Sequence, residues 1–433
     1  MIRLFAWSLP LFLLLALPVW AGDELPERFA RYRAREHELG LRALELRRGQ
    51  EHLIQAKQAL HAYRRGLANP RQLSDEERKA IDALESKYLA ARDAYGQLLQ
   101  GEAGQAYRRL KGAVDSELKA LARALGEALA GEDDPRLRRM RAQLLVDKGR
   151  FDLAERDLEP ALQADPQDAV ALTLRGRCRE ATGRTEAALD DYRAALAAQP
   201  SDERRLRTAV ACYWLNRFVE ARKLRDAVGD LSKLPAQLQL DHGWYLARPK
   251  LSEAEKRWQR ELTLRHQDEQ QGGLPQVRFQ TTRGEVVLEL YARQAPKTVA
   301  TFLDLVRQGF YDQLAWHRVQ PLRLAVTGKP TKPIRGDAAG PGFATPSELG
   351  EASRHHFRGS VGWLPRGPRG RGGSQLYLLL RPDPELDGRS LVIGRIVSGV
   401  EHVAQLKEGD LVQKAEVVRE PGLKLPAPQK DPL

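Results

Sequence analysis

The sequence predicts a multidomain chain: an all-α, helical-repeat N-terminal region followed by a C-terminal domain built largely from β-strands. Three observations predict this. Apolar residues recur at spacings of three and four from Asp23 to about Leu129. A set of small residues, glycines and prolines then repeats with a period of 34 residues. After Gly273 the apolar pattern changes to the short, alternating runs of strands. A chain of 433 residues is long enough for about three such units.

Composition narrows the field. With 42% hydrophobic and 30% charged residues the chain has enough apolar content for packed cores. Its two cysteines, Cys178 and Cys212, exclude a disulfide-stapled scaffold, a zinc ribbon and an iron–sulfur protein. The net charge of +12 favours acidic partners without naming one.

The N-terminus has a basic start, Met1-Ile2-Arg3, an apolar run from Leu4 to Trp20 broken by Pro10 and Pro18, and then Val19-Trp20-Ala21 before Gly22. This is the pattern of a cleaved secretory signal over residues 1–21, and it predicts a periplasmic or secreted protein. The alternative is an uncleaved signal acting as a membrane anchor. No other run is long and apolar enough to span a bilayer, so no integral span is expected once the signal is removed.

Residues 22–132 are expected to form helical hairpins. Leu53, Ala56, Leu60, Tyr63 and Leu67 share one helical face, as do Ile81, Leu84, Tyr88, Ala91, Tyr95 and Leu98, and then Val114, Leu118, Leu121 and Leu125. Asn69-Pro70 stops the first helix, and Ser74 with Glu77 predicts a capping box that opens the second.

The repeat occupies residues 133–228. Gly149 and Gly183, Ala154 and Ala188, Ala161 and Ala195, and Pro166 and Pro200 are each 34 residues apart. This helix–turn–helix period resembles the tetratricopeptide repeat, whose stacked copies present a surface for protein partners. A third copy, with Ala209, Asn216-Arg217-Phe218 and Ala221, is one residue short. Cys178 and Cys212 fall on the first helices of adjacent copies. They are expected either to pair in an oxidising compartment or, as their differing register favours, to fill helix–helix contacts. Residues 229–273 read as a linker containing a helix capped by Ser252 and Glu255, closed off by the polar run 266–271 and Gly272-Gly273.

In residues 274–420 a hairpin is predicted from Val277–Thr282 and Glu285–Leu290 around Gly284, then a helix opening at Pro296. The succession Thr-Thr-Arg-Gly-Glu (281–285), Ala-Pro-Lys-Thr-Val-Ala-Thr-Phe (295–302), Gly-Phe-Tyr-Asp (309–312), Trp-His-Arg-Val (316–319), Gly-Ser-Gln (373–375) and Leu-Asp-Gly-Arg (386–389) resembles a bacterial cyclophilin. The resemblance implies a closed, eight-stranded β-barrel with two helices, peptidyl-prolyl cis–trans isomerase activity and no cofactor. It also implies that Arg318 is the catalytic guanidinium, that Gln375 grips the substrate backbone, and that Tyr377, Leu324, Leu386 and Trp316 contact substrate. Three positions depart from the family pattern: Arg323 stands where a phenylalanine floors the proline pocket, Val326 replaces a glutamine, and Ser390 replaces an aromatic or histidine. Unless it finds a carboxylate, Arg323 would repel Arg318 and spoil an apolar cup.

From Leu274 onward there are 23 basic and 16 acidic side chains, a net of +7. Arg323, Lys329, Lys332 and Arg335, with Arg366, Arg369 and Arg371, suggest acidic ligands or simply a solvated basic surface. Export and the lack of interleaved aromatics argue against nucleic acid. His355-His356 has no companion at ligand spacing, so the pair is expected to be surface histidines rather than a metal site. Residues 421–433 hold four prolines and are expected to form a loose tail. Two functions follow: an exported foldase of weakened activity, isomerising X-Pro bonds in envelope clients recruited by the repeats, or a non-catalytic scaffold binding peptides or anions in a degenerate groove.

Overall fold

The structure, a computed structural model, describes residues 24–66, 74–131, 133–230, 234–236, 238–239, 242, 251–332, 340–350, 352–365 and 372–432. The signal segment, the Asn69-Pro70 stop, Arg335 and the loop arginines 366, 369 and 371 lie outside the described residues. The chain divides into two compact units, residues 1–144 with 235–241 and residues 145–234 with 242–433.

The first unit is built on three long helices: α1 (Glu24–Gly66), α2 (Asp75–Gln100) and α3 (Glu102–Gly131). Val114, Leu118, Leu121 and Leu125 are all buried, as their spacing predicts, and pack with Tyr32 of α1. The Ser74–Glu77 capping box is present: Glu77 N donates to Ser74 Oγ at 3.2 Å and Ser74 N donates to Glu77 Oε2 at 2.8 Å. α4 (Pro135–Asp147) spans the division between the units.

The second unit opens with α5 (Phe151–Ala164), then the pairs α6 (Ala169–Ala181) and α7 (Thr185–Ala198), and α8 (Asp202–Trp214) and α9 (Phe218–Asp226). Ala188, Tyr192 and Ala195 are buried where the repeat pattern needs close helix approach. Each turn between paired helices requires a left-handed residue, supplied by Gly149 (φ 69°), Gly183 (φ 81°) and, in the short third copy, Asn216 (φ 61°). Cys178 and Cys212 are fully buried and free, and burial pushes both thiols up to about 12.

The segment expected to be a linker is packed instead. Its helix α10 (Leu251–Gln270) starts at Leu251, so Ser252 lies inside the first turn rather than at the cap. Glu261 and Asp268 are buried and pair with Arg354, whose side chain is fully enclosed. Its guanidinium stacks 3.8 Å over Tyr291, and the Tyr291 hydroxyl donates to Glu261 at 2.8 Å. The polar composition of α10 hid this because its counter-charge lies some ninety residues downstream.

Among the described residues the β-domain has, besides a second, two-stranded pairing, an antiparallel sheet of nine strands in the order β3-β10-β1-β2-β9-β7-β8-β5-β4. These are β1 (Gln276–Thr281), β2 (Gly284–Leu290), β3 (Leu314–Ala315), β4 (Arg318–Gln320), β5 (Leu324–Thr327), β7 (Ser360–Pro365), β8 (Gly372–Leu379), β9 (Leu391–Ser398) and β10 (Leu411–Arg419). The end strands β3 and β4 are separated only by Trp316-His317, so the sheet curls until its edges meet. Trp316 N donates to the Asp410 carbonyl on one side, and His317 N donates to the Val326 carbonyl on the other. Helix α11 (Pro296–Arg307), with Pro296 in its first turn, contributes Val299, Phe302, Leu303 and Val306 to the core inside the curl. α12 (Val400–Ala404) is a single short helix.

The expected loose tail is also tied down. Leu423 and Leu425 pack against the core, Lys430 pairs with Asp304 at 2.6 Å, and β11 (Asp431–Pro432) pairs with β6 (Phe343–Ala344). Its prolines look like disorder in sequence, yet an extended strap needs few backbone donors and suits them.

The repeats and β-domain meet through residues 357–358. The Asn216 amide donates to the Arg358 carbonyl at 3.2 Å and its side-chain oxygen accepts from Arg358 N at 3.1 Å. Beside it Phe218, Trp258 and Phe357 form a three-ring cluster with centroids 4.8–6.0 Å apart. Asn216→Gly keeps the turn and loses both hydrogen bonds, so chemical denaturation should show a loss of about 1–2 kcal/mol. Asn216→Ala should cost about 1 kcal/mol more, for the left-handed backbone.

Candidate active site

Strand alternation sorts the residues of β5, β7 and β8 onto two faces. Ala325, Leu376, Leu378, Val361 and Trp363 point into the core. Leu324, Val326, Tyr377 and Leu379 point the other way and form a separate apolar cluster with Leu364 and Leu386. Across the strands, Arg318 is paired with Val326, Val326 with Tyr377, and Tyr377 with Gly362. This single row therefore runs from a guanidinium into an apolar floor. Gly362 is required there, since a Cβ would lie 2.0 Å from Tyr377 Cζ.

Arg318 stands exposed at the start of β4, with no hydrogen bond or ion pair to its guanidinium among the described residues. Gln375 is half-buried, two residues before Tyr377 and so on the same face of β8. Its strand is held from behind: Tyr311 donates to the Ser374 carbonyl at 2.7 Å, and Ser374 Oγ donates to the Gly328 carbonyl at 2.7 Å. Between Arg318 and Gln375 lies His317, which sequence reasoning left without a role. Burial lowers its imidazole below the usual range, the Lys329 and Arg318 charges add to this, and a hydrogen bond with Gln375 opposes them.

The structure thus brings Arg318, Gln375, Tyr377, Leu324 and Leu386 to one face, and with them Val326. Trp316 is not among them. It is fully buried in the core, where the chain crosses between the sheet edges, and cannot reach a substrate on the outer face. Arg323 also departs from expectation. Its Nε and Nη2 donate to Asp383 Oδ2 at 2.9 and 2.7 Å, so the charge has a carboxylate partner and does not face Arg318 uncompensated. Sequence separation of 60 residues concealed that partner.

Ser390 is buried and joins a polar chain beneath the cluster. Tyr377 donates to Ser390 Oγ at 2.7 Å, and Ser390 donates to the Trp363 carbonyl at 2.8 Å. His356 Nε2 lies 2.7 Å from the Tyr377 hydroxyl and its Nδ1 lies 2.8 Å from Asp387 Oδ1. His356 is therefore not a surface histidine, because its side chain is fully enclosed, whereas His355 is 30% exposed and bonds Asp387 from outside. Burial raises the Tyr377 phenol well above its ordinary range. Burial by itself would also raise the Asp387 carboxyl, but hydrogen bonds from His355, His356 and the His356 backbone hold it well below the usual range.

Comparison with known proteins meets this geometry. The family model described as cyclophilin type peptidyl-prolyl cis-trans isomerase matches residues 276–424. Peptidyl-prolyl cis-trans isomerase CYP18-2 of Arabidopsis thaliana is 32% identical over 136 residues, 31% of this chain and 82% of that protein. A peptidyl-prolyl cis-trans isomerase of Helicobacter pylori is 35% identical over 137 residues, again 31% of this chain and 82% of its own. The chain belongs to the cyclophilin-type peptidyl-prolyl cis-trans isomerase family.

Its cyclophilin domain follows a second match, a tetratricopeptide repeat model over residues 139–203. A solved cyclophilin type peptidyl-prolyl cis-trans isomerase of Cryptosporidium parvum is 21% identical and covers 34% of this chain and 99% of its own, with a TM-score of 0.30.

The depressed Asp387 carboxyl has a pH consequence. Its contribution to stability is complete above the unfolded carboxylate value near 3.9 and is lost as pH falls from there through the lower folded value. Denaturation of the parent and of Asp387→Asn across pH should show a stability gap in favour of the parent at pH 7 that narrows below about pH 4.

Proposed function

We propose that this protein is an exported foldase: its cyclophilin domain isomerises X-Pro bonds in envelope polypeptides that the tetratricopeptide repeats recruit, with activity weakened by the altered pocket. The observation that carries the reading is the row Arg318–Val326–Tyr377, a guanidinium with no carboxylate partner among the described residues beside an apolar cluster, with Gln375 on the same face.

The chemistry needs little else. Rotation about the X-Pro bond breaks amide resonance against a barrier of about 18–20 kcal/mol. As the bond twists, the prolyl nitrogen regains a lone pair, and Arg318 donates to it. That interaction exists only in the twisted state, so it lowers the barrier rather than merely binding substrate. Leu386 at the rim, over the floor of Leu324, Val326 and Tyr377, holds the prolyl ring while Gln375 holds the flanking backbone, so one end of the bond stays fixed as the other turns. No proton leaves the substrate and no covalent bond forms or breaks.

Weakened activity follows from the cup. Val326 and Leu379 are fully buried and Tyr377 is 2% exposed, which leaves Leu364 and Leu386 as the accessible apolar rim. The same closure favours the second reading, a peptide- or anion-binding scaffold. Export rests on the residue 1–21 pattern, and the alternative is retention as a membrane anchor. Among the described residues no helix is long and apolar enough to cross a membrane.

In a proline-peptide isomerisation assay on the full chain, Arg318→Ala should lower kcat/KM about a hundredfold, with little change in melting temperature because the side chain is exposed. A parent without activity would leave the scaffold reading. Arg323→Phe should lower KM while costing about 1–3 kcal/mol of stability, because it strands the buried Asp383 carboxylate. N-terminal sequencing of the mature protein should begin at Gly22; a chain that keeps Met1 in the membrane fraction would replace export by anchoring.

A further inference from the structure

The polar chain beneath the cup has more order than its burial requires. Ser390 spends its proton on the Trp363 carbonyl and Tyr377 spends its proton on Ser390. The Tyr377 hydroxyl therefore meets His356 Nε2, 2.7 Å away, as an acceptor. On the other side of the ring, Nδ1 faces the Asp387 carboxylate. The imidazole lies nearly parallel to the Tyr377 ring, with centroids 6.0 Å apart and planes inclined by 17°. Asp387 directly follows Leu386, so one turn carries both the cup rim and the carboxylate. From outside the sheet Arg257 of α10 reaches Asp387 Oδ2 at 3.3 Å.

We propose that His356 is a positioning residue for prolyl binding, setting the Tyr377 ring as a wall of the cup, with Asp387 and Arg257 fixing His356 and the Leu386 turn behind it. This rests on the reading of the Leu324–Val326–Tyr377–Leu386 cluster as the prolyl site. The physical reason is the missing side chain at Gly362. The Tyr377 ring lies directly over the bare Gly362 backbone, so the cross-strand partner position has no side chain to hold the hydroxyl end of the ring. Its hydroxyl end is instead gripped from two sides, by Ser390 and His356. A ring held at both ends presents one fixed face to a ligand, which removes an ordering cost from binding. The substitution of Ser390 for a larger residue then has a use: it leaves room for a hydroxyl and supplies its acceptor.

Two substitutions divide the imidazole's roles. His356→Gln places an amide near the Nε2 position and keeps the hydrogen bond to Tyr377. His356→Asn places one near Nδ1 and keeps only the contact with Asp387. On the full chain, KM for a proline tetrapeptide and its Kd by calorimetry should both rise about tenfold for His356→Asn, the worth of one buried hydrogen bond. Both should stay within about threefold for His356→Gln, and kcat should stay within about twofold for each. In a Tyr377→Phe background His356→Asn should have no further effect on Kd, since the bond it breaks is already gone. Arg257→Met, at a half-exposed site on α10, should raise Kd about two- to threefold and supplies a measurement if the buried variants fold poorly.

An unchanged Kd for His356→Asn overturns the proposal, as does equal loss in Asn and Gln variants that tracks melting temperature alone. If those variants fail to fold, an unchanged Kd in Arg257→Met overturns it. A parent that binds and isomerises peptide while these variants match it defeats this inference only. A parent that neither binds nor isomerises defeats the proposed function and this inference with it.

Discussion

The five residues from Arg354 to Arg358 are the constraint on which the second unit depends. Arg354 is enclosed by Glu261 and Asp268 of α10 and by the ring of Tyr291. His356 turns toward Tyr377 beneath the apolar cluster. Phe357 packs on Phe218 and Trp258, and the Arg358 backbone is paired with Asn216. One short loop therefore holds the linker helix, the candidate pocket and the repeats at once. A buried ion pair of this kind contributes little net stability when intact. Loss of one partner costs about 3–5 kcal/mol because the other charge is stranded. Such a loop tolerates few alternatives, which makes it a source of geometric definition for the site next to it.

Much of the architecture was legible in the sequence because it rests on local rules. The face Val114, Leu118, Leu121 and Leu125, the Ser74 capping box, the turns at Gly149 and Gly183, and the Pro296 helix start each depend on residues within a few positions of one another. The outer-face position of Leu324, Tyr377 and Gln375 follows from strand period alone once the strands are placed. What sequence reasoning missed was long-range and polar. The partner of Arg323 lies 60 residues away, that of Arg354 86 and 93 residues away, and that of Asn216 142 residues away. Composition treats each of those side chains as solvated, since nothing nearby in the chain announces a counter-charge. Trp316 was misplaced for a related reason: its neighbour Arg318 is a strand residue, but the chain at 316–317 is a crossing between sheet edges rather than a strand.

The excess of positive charge in the cyclophilin domain also changes meaning. Arg278, Arg283, Arg293, Arg323, Arg354 and Arg395 each have a carboxylate within 3.2 Å or closer, on a distant part of the chain. Those six arginines serve as staples between strands, helices and loops, most of them through two guanidinium nitrogens at once, which lysine would not reproduce. They therefore say nothing about an acidic partner. The positive charge beside the candidate site rests on exposed residues such as Arg318 and Lys329, and Arg318 has no carboxylate partner among the described residues.

The third repeat shows how a departure from pattern can be the informative part. Where the two earlier copies place glycine, this copy has asparagine, the residue other than glycine best suited to a left-handed turn. The turn alone would be served equally well by glycine. Asparagine adds an amide that completes two backbone hydrogen bonds of the 355–358 loop, and the next aromatic, Phe218, extends the contact. The copy is thus irregular as a repeat because it is regular as an interface. A repeat array ordinarily ends in a polar capping face. Here the array ends on the cyclophilin domain itself, so the last repeat and the loop behind the candidate pocket form one packed body, and the repeats help to hold the supporting wall of that site.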